Sequence, residues 1–311
     1  MTAALLISVA GLTLALIAPG PLNAMLRRSD PHITLLTWAT LVVATVTALL
    51  APLVLSLAPG HGGMAALTEL AHRCLLAPHD TMPARLESAI GIVGVLMATI
   101  TVVRFLIHWR ATARQRIAVH DKHISLFRIL HGHDSEPVLW LPLPTPVAYS
   151  IAGRPAMIVA SNGLRNELDD EALNAVLAHE RAHIRRHHHF LVELAEAAAY
   201  AVPWLPLTRR SPELVRALVE LDADSHAAHR HGSAPVHRAL TQLRGHATPA
   251  TTLAIAQDCV ELRLARLADD HAQAQHAPRR TRAAIWTAAV TAPILPLVML
   301  GAGVALSTCG G

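Results

Sequence analysis

Charge is what this chain has least of. Only 15% of its 311 residues are Asp, Glu, Lys or Arg, and only 3% are aromatic, whereas an ordinary soluble domain carries about a quarter charged residues. Lys122 is the single lysine among 26 basic residues; the rest are arginine. This scarcity, beside a 52% hydrophobic content, excludes a chain exposed to water throughout and predicts that part of it sits in lipid. Cysteine is scarce as well. Cys74, Cys259 and Cys309 show no CxxC spacing, which excludes a cysteine-built metal site. The net charge of +4 does not point to nucleic acid, because the arginines gather at the ends of apolar runs rather than along one helix face, so no direct nucleic-acid binding is expected.

What is present in quantity is long apolar sequence. Residues 3–25, 33–58, 88–107 and 283–306 each approach the roughly 20 residues needed to cross a bilayer, which predicts a multi-pass cell-membrane protein. The first run has no basic segment before it and reads as a retained anchor rather than a cleaved leader. Arg27 and Arg28 lie between the first two runs, Arg104, Arg110, Arg114 and Arg116 at the end of the third, and Arg279, Arg280 and Arg282 before the fourth. Basic clusters mark the cytoplasmic side, so both termini are expected outside. Three regions follow: three transmembrane helices in 1–108, a cytoplasmic domain in 109–282, and a fourth helix with a short outer tail in 283–311. Cys74 and Cys309 then share the outer side, and Cys259 faces the cytoplasm. The apolar stretch 190–207 is expected not to cross, since one crossing would strand the residues after it on the wrong side.

Within 109–282, residues 147–152 and 156–161 read as two short strands. A helix follows, with Asp169 as N-cap and Asp170 and Glu171 in its first turn. On it lie His179, Glu180 and His183. Histidines four apart stack on one helix face, and HExxH is the pattern in which two imidazoles bind Zn2+ while the adjacent carboxylate reaches the metal-bound water. With 21 histidines in the chain, chance placement would produce the pattern about one time in twenty, so a third ligand is needed to carry the reading. A second helix, expected to start at Ser211 and Pro212 and stop at Gly232, supplies Glu220 and Asp224 four residues apart. One of these carboxylates can bind the metal while the other orients a ligand histidine. His187, His188 and His189 are expected to prolong the first helix in a surface or packing role, and His226, His229 and His231 likewise follow Asp224.

His179-Glu180-Arg181-Ala182-His183 followed by Glu220-Leu221-Asp222-Ala223-Asp224 resembles the HExxH plus ExxAD pair of membrane-anchored gluzincin peptidases, the group of HtpX and the CAAX prenyl proteases. The "AVLAHERAH" helix after a "SNGL" strand end, with three spans before and one after, resembles more closely the BlaR/MecR-type antirepressor peptidases. The resemblance implies a mainly α membrane protein of four transmembrane helices with a cytoplasmic α+β zincin-like metallopeptidase domain and one Zn2+. It makes His179, His183 and Glu220 ligands, Glu180 the catalytic base and Asp224 the residue that orients a ligand. Tyr149 and His226 are the candidates for an oxyanion or substrate contact, the strand of Tyr149 lying beside the site in that family.

The sensor members of that family carry a penicillin-binding domain with a serine and lysine in SxxK. Here the only lysine is Lys122, in the cytoplasmic segment, so the chain is expected not to sense a β-lactam itself. The expected activity is cleavage of a cytoplasmic protein substrate, a transcriptional repressor or the chain itself, with the signal brought by a sensor partner in the bilayer. The alternative is a non-enzymatic signalling scaffold or a metal-handling membrane protein. A carrier would need ionisable residues inside its spans, and these spans hold almost none.

Overall fold

A computed structural model describes residues 2–55, 84–131, 138–244 and 259–268. The expected fourth span, the outer loop between the second and third spans, and Cys74 and Cys309 lie outside the described residues.

The first apolar run is not one straight helix. It forms α1 (Thr2–Ile17) and α2 (Pro19–Arg28), bent by 42° about Ala18. The cause is local: Pro19 and Pro21 have no N–H to return to the preceding turn, and Ala18 bridges the gap by donating to Leu14 O and accepting from Leu22 N. The second run is α3 (Pro31–Leu55). The third is much longer than its apolar part. Helix α4 (Ala84–His131) continues for 48 residues, through Arg104, Arg110, Arg114 and Arg116 and past residue 108 without a break. Charged residues end an apolar run but not a helix, and no proline interrupts this one. By length and composition, Pro31–Leu49 and Ile92–Lys122 can cross a membrane, and the bent pair α1–α2 makes a third candidate.

A small sheet follows: β1 (Val138–Leu141), β2 (Ala148–Ile151) and β3 (Met157–Ser161), in the order β1-β3-β2. Strand β3 is central and wholly buried, parallel to β1 and antiparallel to β2. The sequence pattern anticipates β2 and β3 but not β1. Helix α5 (Asn162–Glu167) leaves β3 directly, capped by Ser161, whose hydroxyl accepts from Leu164 N and donates to Thr145 O. Gly163 is required here, because a Cβ would lie 2.1 Å from Pro144 O.

Helix α6 (Asp170–Arg185) is capped by Asp169 as expected, its carboxylate accepting from Ala172 N at 2.7 Å. It does not extend through the three histidines. His187 takes a left-handed conformation, φ 55°, which ends one helix and redirects the chain into α7 (His188–Ala201). Helix α8 (Pro206–His231) begins six residues earlier than the sequence suggests, with Pro206 rather than Pro212 as its first residue. Pro206 supplies the helix start, and Pro212 sits inside. Ser211 caps nothing; its buried hydroxyl donates to Leu207 O and accepts from Trp38 Nε1 on α3. Gly232, φ 85°, ends α8 as expected, and α9 (Ser233–Leu243) and α10 (residues 259–268) complete the described chain.

One apolar cluster joins Leu22, Leu26 and Trp38 of the N-terminal helices to Ala195, Leu207, Val215 and Leu218 of α7 and α8. The helix α7 in the stretch 190–207 packs against α4 and α8, while α1, α2 and α3 contact α8 directly. A second cluster packs the sheet (Val138, Ile158, Ala160) on α6 through Ala172 and Leu177. Between them, α6 and α8 lie side by side.

Candidate metal centre

The facing sides of α6 and α8 carry polar residues that neither helix could bury alone. From α6, the Nε2 atoms of His179 and His183 converge to 3.0 Å. From α8, Glu220 places Oε2 3.4 Å from His179 Nε2 and Oε1 3.5 Å from His183 Nε2. All three donor atoms lie within 4.8 Å of one another. Two imidazole nitrogens and a carboxylate oxygen meeting at one point are the donor set of a divalent transition-metal site. The side chains of His179 and His183 are 12% and 10% exposed and that of Glu220 32%, so the site opens on one side.

The ring nitrogens turned away from this point are held. Asp224 Oδ1 accepts from His179 Nδ1 at 2.9 Å, which leaves the Nε2 lone pair for a metal. Arg263 on α10 in turn grips Asp224, donating from Nε at 2.6 Å and from a terminal nitrogen at 2.8 Å, and also reaches Glu220 at 3.0 Å. Arg263 carries no signal in the sequence. It lies 39 residues beyond Asp224, and no spacing rule connects them.

His183 has a different partner. Its Nδ1 lies 3.1 Å from Nδ1 of His188, whose Nε2 lies 2.9 Å from Asp222 Oδ2. One Arg186 nitrogen donates to both Asp222 oxygens at 2.7 Å. His188 is 1% exposed and Asp222 4%. The surface or packing role expected for the histidine triplet holds neither for His188 nor for His189, which lines the cleft and bonds Ser150 at 3.1 Å. The left-handed turn at His187 brings both rings back onto the site.

The charges are strongly coupled. Burial opposes protonation of His179, but Asp224 and Glu220 overcome it and lift its pKa to about 10; burial, with His179 beside it, depresses that of His183 to about 3. Burial raises Glu220, but His179 and Arg263 outweigh it and hold the carboxyl well below the usual range. These values describe the metal-free protein; a divalent ion would take over the role of the proton shared near His179. Burial pushes Glu180 up, against the pull of His179, the Ser150 hydroxyl and Arg263. A carboxyl poised this way beside a metal suits proton transfer.

Glu180, Tyr149, Ser150 and the three metal-donor residues line one cleft of about 1210 Å³, together with the apolar Val236, Leu240 and Val260. Tyr149 lies on β2, the edge strand, and is 37% exposed. His226 is not among the residues lining the cleft; its Nε2 is buried without a hydrogen-bond partner.

Residues 90–210 match the model of Peptidase family M48. The match runs from α4 through the sheet and the HExxH helix, less than half of the chain, and ends before Glu220. No curated protein and no solved structure matches. The family match and the metal-binding geometry together support a metallopeptidase, and the apolar helices are compatible with a membrane protein.

Proposed function

We propose that this chain is a membrane-anchored zinc endopeptidase that cleaves a protein substrate at the cytoplasmic face. The observation that carries the reading is the meeting of His179, His183 and Glu220 within 4.8 Å, on two helices, at the floor of a cleft that Glu180 also lines. Zn2+ bound there would supply a Lewis acid and a water acidic enough to attack an amide near neutral pH. His179 and His183 would hold the ion through Nε2 and Glu220 through its carboxylate.

The chain's own groups supply the rest. The Glu180 carboxylate takes a proton from the attacking water and passes it to the leaving amine. The Ser150 hydroxyl lies near enough to favour the charged form of that carboxylate. Strand β2 is at one edge of the sheet, where it would offer main-chain groups to an extended peptide, and the apolar Val236, Leu240 and Val260 of the cleft suit a non-polar substrate side chain. Tyr149, at that edge, is the candidate contact for the substrate carbonyl.

The finer reading is a regulatory protease of the BlaR/MecR type, cutting a cytoplasmic repressor or itself, gluzincin in its ligand set, spanning the cell membrane four times with both termini outside. A partner membrane protein would bring the signal. Its support is the motif pair, the arginine clusters and the three apolar helical segments before the site. The test compares N-terminal peptides from membranes of cells carrying the native chain or Glu180→Gln. Peptides present only with the native chain identify the substrate; identical peptide sets would overturn the endopeptidase reading.

A further inference from the structure

The two histidines of the HExxH helix are held by two different devices. His179 donates directly to a carboxylate, Asp224, at 2.9 Å. Between His183 and its carboxylate stands a second imidazole, in the order His183, His188, Asp222, Arg186.

The order of donors in this row follows from Asp222. Gripped by Arg186 through both oxygens and almost fully buried, its carboxylate has no proton to give. It must accept, so His188 donates from Nε2. A neutral His188 then presents a lone pair at Nδ1. The facing His183 Nδ1 must carry the hydrogen, which leaves the His183 Nε2 lone pair turned toward His179 and Glu220. We propose that His188 is a positioning residue: anchored by Asp222 and Arg186, it fixes the tautomer and ring orientation in which His183 binds a metal.

The backbone supports the assignment. His188 opens α7 directly after the left-handed His187. Without that turn the α6 helix would carry residue 188 about 140° around its axis from residue 183. Here the chain adopts a conformation that is unfavourable for a residue with a Cβ, and the result is contact between the two rings. The proposal rests on the metallopeptidase reading, because the tautomer of His183 matters to function only if Nε2 is a ligand.

The test measures the Zn2+ dissociation constant of the full-length chain in detergent, by competition with a chromophoric chelator. It also records the visible spectrum of the Co2+-loaded protein, which reports coordination geometry independently of activity. His188→Phe should weaken Zn2+ binding by about 10- to 100-fold and alter the Co2+ spectrum, while Glu171→Gln, on the exposed first turn of α6, leaves both unchanged. Asp222→Asn, isosteric and less disruptive, should weaken binding at least threefold. If His188→Phe fails to fold, this second variant decides. Binding within threefold of native in the deciding variant would overturn the proposal. Native protein that binds no Zn2+, or Glu220→Ala that binds it as tightly as native, would instead overturn the metal-site reading on which the proposal stands.

Discussion

Helix α4 and helix α8 arrange the same kinds of residue in opposite ways. Along α4, Ile92, Val93, Leu96, Val103 and Ile107 are between 47% and 62% exposed. Along α8, Asp222 and Asp224 are 4% and 3% exposed. Among the described residues the first arrangement leaves a long apolar surface uncovered, which is compatible with an apolar solvent around α4. The second would leave buried anions uncompensated, so α8 requires cations within reach. Arg186 and Arg263 provide them at 2.6–2.8 Å. One helix is satisfied by its surroundings, the other by particular partners. They should therefore fail differently when altered.

The largest effect is expected where a partner is removed. Arg263→Met leaves protonated His179 as the one cation that Asp224 and Glu220 still share among the described residues and should cost the metal-free protein about 3 kcal/mol of stability, read as a lowered midpoint in thermal unfolding of the detergent-solubilised chain. Added Zn2+ should restore part of this loss, because the ion neutralises Glu220 in place of the arginine. Equal midpoints for variant and native protein would show that Arg263 is not the counter-charge. On α4 the corresponding change introduces a charge where no partner waits. Leu96→Asp should cost about 2.5–3.5 kcal/mol of membrane insertion, measured with a glycosylation reporter, and unaltered insertion would mean that this face does not meet lipid.

Within α8 the comparison can be sharpened. Glu220→Ala should remove stoichiometric zinc, measured by metal analysis, whereas Asp222→Ala should retain zinc at lowered affinity because Asp222 acts through His188. The reverse order would mean that the third ligand is misassigned. The smallest effect is expected where the two regions meet. Trp38→Phe removes one buried hydrogen bond to Ser211 and should cost about 1 kcal/mol, since Ser211 still bonds Leu207 O. A loss above about 3 kcal/mol in thermal unfolding would show that this contact holds the N-terminal helices on α8 by itself.

The sequence was most informative where spacing along one element determines geometry. His179 and His183 at helical spacing, Glu220 and Asp224 likewise, the Asp169 cap and the Gly232 stop could all be read from periodicity and local chemistry. Partners on different elements follow no such period. Arg263, His188 with Asp222, and the β1–β3 pairing are products of packing, separated from their partners by 20 to 39 residues. The start of α8 was misread because Ser211-Pro212 has the composition of a helix start, while Pro206 also has it and occupies that place. Likewise, the apolar run of α4 ends at residue 107, although the helix continues as long as nothing breaks its backbone.

Helix α10 carries a second arginine one turn beyond Arg263. Arg266 donates to the carbonyls of Leu26 at 2.8 Å and Ser29 at 2.7 Å, where α2 ends. Helix α10 thus fastens the N-terminal hairpin with one guanidinium and the acidic residues of the candidate metal site with another. Trimming the first thirty residues to obtain a water-soluble catalytic fragment would remove both acceptors of Arg266 along with the apolar helices. Such a fragment would lose a restraint on the helix that presents Arg263, and its metal affinity would report the trimming as well as the site. A more faithful soluble version would keep α2 and the Leu26–Ser29 turn and replace only the exposed apolar side chains of α1, α3 and α4.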